Sequence, residues 1–232
     1  MIRILKNELI ILTVLFTISF AKLNGANFVI GFMGQFGASA ATTENGKIFN
    51  SDFREFENSF SIQPGIFFSY YDTVSSAIFF DIGYHNDRYE FRNNINNNRI
   101  AENFSLNNIS IGILPRINFG FLSLGIGGGI KFPISMTYLK ENKDTGDLQE
   151  NRRLALGDIR DTLKDFYNPY IKASVDFLIK GKNKFMMTVG VYANYDFAFH
   201  LKEDGILTAA ISRENIAAFD LGFQIGLYFI SL

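Results

Sequence analysis

The feature that most constrains this chain is strict two-residue alternation, and residues 121–138 carry it most cleanly. Their even positions hold Leu122, Leu124, Ile126, Ile130, Phe132, Ile134, Met136 and Tyr138. Their odd positions hold Ser123, Gly125, Gly127, Gly129, Lys131, Ser135 and Thr137. A helix repeats every 3.6 residues and cannot separate such a sequence into two faces; a pleated strand does so automatically. The same alternation recurs in 27–41, 58–71, 75–91, 104–118, 167–179, 184–201 and 216–230, which makes eight segments in all. The expectation is an all-β chain.

The connections sharpen this. Residues 72–74, 118–121 and 180–183 are short turns, whereas 42–57, 92–103, 139–166 and 202–215 are long and polar. Short and long connections alternate along the chain. That is the arrangement of a membrane barrel with tight turns on one side and long loops on the other. The expected fold is an eight-stranded antiparallel up-and-down transmembrane β-barrel over 27–232. A sixteen-stranded barrel does not fit, since each crossing strand takes about 9–11 residues before any loop.

Alternation alone does not say which face is outside. Composition decides it. The chain has 26 Phe and 10 Tyr, with no Trp and no Cys. The interior of an eight-stranded barrel is only wide enough for side chains to fill it. So many Phe and Ile residues cannot fit there, while the Gly, Ser and Ala of the other face can. The charges inside the segments lie on the small-residue face: Asp81, Arg116, Lys131, Lys172, Asp176, Asp196 and Asp220. They are expected to form a polar network in the lumen, near neutral and mutually paired, because buried charges must be compensated. A closed barrel satisfies its backbone internally and leaves an apolar exterior free for lipid.

Arg3 and Lys6 precede an apolar run, Leu9 to Phe20, and small residues follow at Ala21, Gly25 and Ala26. A spanning helix needs about 20 apolar residues. Residues 1–26 therefore read as a signal peptide, with cleavage after Ala26 preferred to Ala21. Lack of cysteine removes thiolate metal sites and Cys nucleophiles. A formal net charge of −1 gives no basis for nucleic-acid binding.

With its strands, loops and final segment Asp220 to Leu232, the chain resembles small bacterial outer-membrane β-barrel proteins. The kind it resembles is the eight-stranded one related in shape to the OmpA transmembrane domain and OmpX. The resemblance implies location in the outer membrane, contact with its lipids, and a C-terminal strand read by the barrel-assembly machinery. Gln224, Gly226 and Phe229 match that signal, whereas Ser231 and Leu232 depart from its usual ending. Two aromatic girdles are expected at the interfaces. The periplasmic one comprises Tyr70, Tyr71, Phe119, Phe121, Phe185, Tyr228 and Phe229, and the outer one Tyr89, Phe91, Phe104, Tyr138, Tyr167 and Phe199.

Chemistry is poorly signalled. His85 and His200 are the only histidines, both on the polar parity, and no serine motif accompanies either. Gly125 to Lys131 lacks phosphate-loop spacing and sits within a strand. No catalytic, metal or cofactor residues are expected. Loop 139–166 is the longest and most charged connection. Leu156, Ile159, Leu163 and Phe166 recur at helical spacing there, and Asp144-Thr-Gly-Asp147 is a turn signal, so a short helix and an extended hairpin are both open. The expected role is display of surface loops without catalysis; for 139–166 an extracellular ligand and a solvated loop with no fixed partner are both open. A narrow porin-like channel and a lipid-modifying enzyme are the alternatives.

Overall fold

In the computed structural model each of the eight alternating segments is a strand, and a ninth strand lies outside the membrane-crossing set. The structure describes residues 26–42, 56–69, 74–95, 98–181, 185–200, 202 and 215–230. The strands are β1 (Ala26–Thr42), β2 (Phe56–Ser69), β3 (Val74–Ile95), β4 (Asn98–Phe119), β5 (Leu122–Asn142), β6 (Leu148–Leu154), β7 (Asn168–Lys180), β8 (Phe185–His200) and β9 (Asn215–Ile230). One helix, α1 (Leu156–Thr162), follows β6. Of the expected signal peptide, 1–26, residues 1–25 lie outside the described residues.

Every pairing is antiparallel, and eight strands close a ring. The first and last strands complete it, with Val29 opposite Ile230 and Thr42 opposite Ala217. Closure removes the sheet edges, which in lipid would leave unsatisfied N–H and C=O groups. The β4–β5 turn is two residues, Gly120 and Phe121, with Gly120 at φ 60°. A glycine at positive φ matches the handedness of a tight hairpin turn.

The apolar parity faces outward, as expected: Ile126 is 73% exposed and Phe223 72%. Phe36, Phe60, Phe80, Ile111 and Phe177 continue the belt around the ring. A water-soluble chain rarely presents a continuous apolar surface of this extent. Bilayer hydrocarbon is the solvent that suits it.

Three expectations are corrected. First, 92–103 is not a loop. β3 and β4 stay paired up to Ile95 opposite Asn98. The Asn-rich composition reads as a turn, but the ladder continues because Tyr89, Phe91 and Phe104 below it are buried and anchor the ribbon. Second, the alternation of β5 changes phase. Asn108 pairs with Pro133 but Asn107 pairs with Ser135, so Ile134 is the extra residue of a β-bulge. Beyond it the even residues Met136 and Tyr138 turn inward and are buried. Third, five girdle residues lie inside the barrel. Tyr89 is 2% exposed, and Phe91, Phe104, Tyr138 and Tyr228 are equally buried. Height along the strand places these residues at an interface, but the pleat fixes which side each takes. For Tyr89, Phe91, Phe104 and Tyr228 the parity is that of Asp81, Arg116 and Asp220. Phe119, Phe121, Phe229 and Tyr167 do face out. Tyr70, Tyr71 and the side chain of Phe199 lie outside what is described.

β3, β4 and β5 have 22, 22 and 21 residues. A crossing needs about 9–11, so their surplus projects beyond the membrane on the side opposite the short turns. β6 extends this projection by pairing with β5, Met136 opposite Leu154. Both open expectations for 139–166 are realised: a hairpin turns at 143–147, and α1 follows. The Asp158 carboxylate accepts the Ala155 N–H at 3.1 Å and caps the helix. Ile159 and Leu163 are buried, whereas Leu156 and Phe166 of the same stripe are exposed.

Candidate functional site

The lumen is filled in three layers. The inner layer, toward the short turns, is apolar: Val29, Met33, Phe67, Ala77, Phe79, Leu114, Leu178, Met186 and Tyr228. The outer layer is also apolar and combines Tyr89, Phe91, Phe104, Leu106, Met136 and Tyr138 with Leu154, Ile159 and Leu163 from the projecting segment and Ile216 and Ala218 from β9. Between them lies a charged layer containing all seven lumen residues expected from the sequence.

Those charges fall into three connected groups. Arg116 meets Asp176 at 3.1 Å. The Gln224 amide donates to Asp176 at 2.7 Å, and Gln35 donates to Gln224 at 2.8 Å. Lys172 pairs with Asp81 at 3.5 Å. Gln63 donates to Asp81 at 3.0 Å and accepts the Tyr228 hydroxyl at 2.8 Å. Lys131 is the centre of the third group, 2.6 Å from Asp196 and 2.9 Å from Asp87. Asn194 bridges Asp196 at 2.9 Å and Asp220 at 2.8 Å, while Ser39 donates to Asp220 at 2.7 Å.

By formal count the layer holds more acids than cations. Glu57 and Asp87 join the expected carboxylates, so six buried acids (Glu57, Asp81, Asp87, Asp176, Asp196, Asp220) face three cations (Arg116, Lys131, Lys172). Asp87 was legible, being on the parity of Asp81 and His85. Glu57 was legible only by extending β2 one residue upstream of its alternating segment. Hydrogen bonds from Asn108, Asn194, Ser39 and Tyr192 supply compensation that charge pairing does not.

Three inward tyrosines fit because glycines face them. A Cβ added at Gly31 would overlap the Tyr228 ring directly across the strand pair. Gly37 makes the same room for Tyr192, and Gly112 for Tyr170. Three glycines of this parity are therefore seats for inward tyrosines.

The two histidines are separated by the layers. His85 is buried in the lumen, 6.3 Å from the Tyr170 ring, and its Nε2 has no hydrogen-bond partner among the described residues. His200 Nδ1 lies 3.3 Å from Asp165 at the outer rim. Neither is hydrogen-bonded to a serine among the described residues. Of the C-terminal residues, Gln224 points inward into the Asp176 group. Gly226 faces Thr188, and Phe229 faces out with its ring 5.5 Å from Phe185. Ser231 and Leu232 lie outside the described residues.

No family model matches the chain, and no curated protein matches it. Solved structures do. Ail, the attachment invasion locus protein of Yersinia pestis, matches over 87% of this chain and 98% of its own, at 11% identity and a TM-score of 0.39. Neisserial surface protein A matches over 88% of this chain and 98% of its own, at 9% identity and 0.33. The outer membrane protease OmpT of Escherichia coli matches over 89% of this chain and 96% of its own, at 9% identity and 0.41. These are likenesses of fold. The barrel itself is established by the hydrogen-bond ring and the apolar exterior, which together describe an outer-membrane β-barrel.

Proposed function

We propose that this chain is exported on residues 1–26 and acts as a sealed outer-membrane barrel carrying a rigid extracellular platform, without transport or catalysis. The observation that carries the reading is the layering of the lumen. Two apolar layers bracket a charged layer whose members are engaged with one another. Water and ions crossing the barrel would have to displace both apolar layers and break buried ion pairs, each step costly. The seven expected lumen residues then serve as an internal brace rather than a selectivity filter. Gln224, Gly226 and Phe229 serve as the assembly signal, and lipid contacts the outward parity.

The platform is the β3–β4–β5–β6 projection with α1 docked beside it. Loops held on a rigid scaffold are where barrels of this shape place binding. Residues 139–166 are its most charged part and the best candidate for an extracellular ligand.

Planar-bilayer recording of the purified protein tests the seal. No step conductance is expected, and reproducible single-channel steps would overturn the reading. Replacing 139–166 by a tight turn tests the platform. In a pull-down from extracellular material that variant is expected to lose the partner retained by the full barrel, while the barrel still inserts; retention of the same partner would remove the assignment.

A further inference from the structure

We propose a binding site for a single-chain aliphatic amine in the outer wall of the barrel, entered from the membrane side where β5 parts from β7. Four observations support it. The wall is split there. β5 pairs with β7 only up to Lys131 opposite Asn168, and with β6 only from Met136 onward. Residues 132–135 therefore have no ladder partner on that side, and the Pro133–Ile134 bulge sits within the gap.

Outside the split lies a groove of about 370 Å³ lined by Asp165, Tyr167, Pro169 and Phe197. Tyr167 is 50% exposed and Phe197 43%. The volume lies within the range of small-molecule sites, near its lower end. It suits one chain rather than a double-chained lipid. Behind the groove, and sharing Asp165 and Tyr167 with it, is a cavity of about 10 Å³ that reaches Asp87, Asn108 and Asn168. That is room for one water-sized group.

The polar end of the site is built from acceptors. Asn168 is 9% exposed and its side-chain oxygen has no hydrogen-bond partner among the described residues. Asp165 stands at the mouth, 3.3 Å from His200 Nδ1. Asp87 lies at the back, held by Lys131 and Asn108. A buried acceptor without a donor is costly to keep. A primary ammonium supplies up to three N–H donors and a charge that matches Asp165 and Asp87. Its chain then lies along Tyr167, Pro169 and Phe197, where the barrel meets lipid.

The test uses the full barrel in phosphatidylcholine nanodiscs, whose headgroup has no N–H donor. The probe is dodecylamine bearing a mid-chain diazirine. After illumination, labelled residues are mapped by mass spectrometry. Saturable labelling of peptides containing Tyr167 and Phe197 is expected. Unlabelled dodecylamine should reduce it at least fivefold, and dodecyltrimethylammonium, which has the charge but no donor, should not. Asn168→Leu should reduce it at least fivefold, with heat-modifiable gel migration verifying the fold. Phe197→Ala, at an exposed position, should do the same if Asn168→Leu fails to fold. Non-saturable labelling spread evenly to Ile111 and Phe223 would overturn the proposal. So would equal competition by the trimethyl compound, or unchanged labelling in the variants. Competition by added phosphatidylethanolamine would assign the site to a lipid headgroup and overturn the free-amine occupant.

Discussion

Lys131 compensates more charge than any other side chain of the lumen, lying within 3 Å of both Asp87 and Asp196. Removing one partner of a buried ion pair leaves the other charge uncompensated, at a cost of about 3–5 kcal/mol. Lys131→Met is therefore expected to destabilise the barrel by roughly that amount, read as a shift in urea unfolding followed by gel migration. A second residue-scale prediction concerns space. Gly31→Val places a branched side chain where the Tyr228 ring sits. It is expected to prevent closure of β1 on β9 and abolish the heat-modifiable band, and Tyr228→Ala in the same chain should restore it. A third concerns pH. The Arg99 backbone N–H and guanidinium both donate to the Asp144 carboxylate at 2.7 Å, joining the tips of the β3–β4 and β5–β6 hairpins. These bonds hold the Asp144 carboxyl below its ordinary range. Its contribution is thus complete above the ordinary carboxylate pKa of about 3.9 and is lost as pH falls through the lower, folded value. Proteolysis at residues 143–147 should rise only below pH ~4, and Asp144→Asn should show that susceptibility at neutral pH.

At the scale of elements, the bulge in β5 decides what the upper half of the barrel contains. Deleting Ile134 removes the bulge but keeps Met136 and Tyr138 inward on an unbroken ladder, so the outer apolar layer is expected to stay packed. Inserting one residue after Ile134, with the bulge retained, turns both outward; the outer layer then loses them, and the projecting hairpin is expected to become protease-sensitive while the lower barrel stays heat-modifiable. The eight crossing strands were legible because lipid outside and crowded side chains inside impose the period-2 pattern on nearly every residue. The phase change was not legible. It depends on where Pro133, which has no N–H to donate, meets the β4 ladder, and that is a property of two strands in register. The helix and the turn of 139–166 were legible as separate local signals. That they coexist, with Ile159 and Leu163 completing a layer made by other strands, was not. α1 is fixed at its end by main-chain bonds from Lys164 to His200 and from Lys202 to Thr162, at 2.8 and 2.9 Å. No local pattern announces those partners.

On the scale of the whole molecule, the two apolar layers act in series. Ile159→Asp should loosen the outer layer and make α1 protease-sensitive, yet leave the bilayer silent because the inner layer stays intact. Combining it with Tyr228→Ala should be the first change to produce conductance steps. Steps from Ile159→Asp alone would show that the outer layer is the only barrier.

By itself the sequence determined that the chain is a closed all-β barrel, which face meets lipid, and seven of the interior charges. Each follows from alternation and from the volume available to eight strands, and both act residue by residue. The tertiary structure alone decided the rest: the acid excess of the lumen, the inward turn of Met136 and Tyr138, the seating of tyrosines on glycines, and the split between β5 and β7. These depend on register across the barrel, where residues far apart in the chain meet at ångström distances. A one-dimensional pattern carries parity along a strand, but not the offset between one strand and the next.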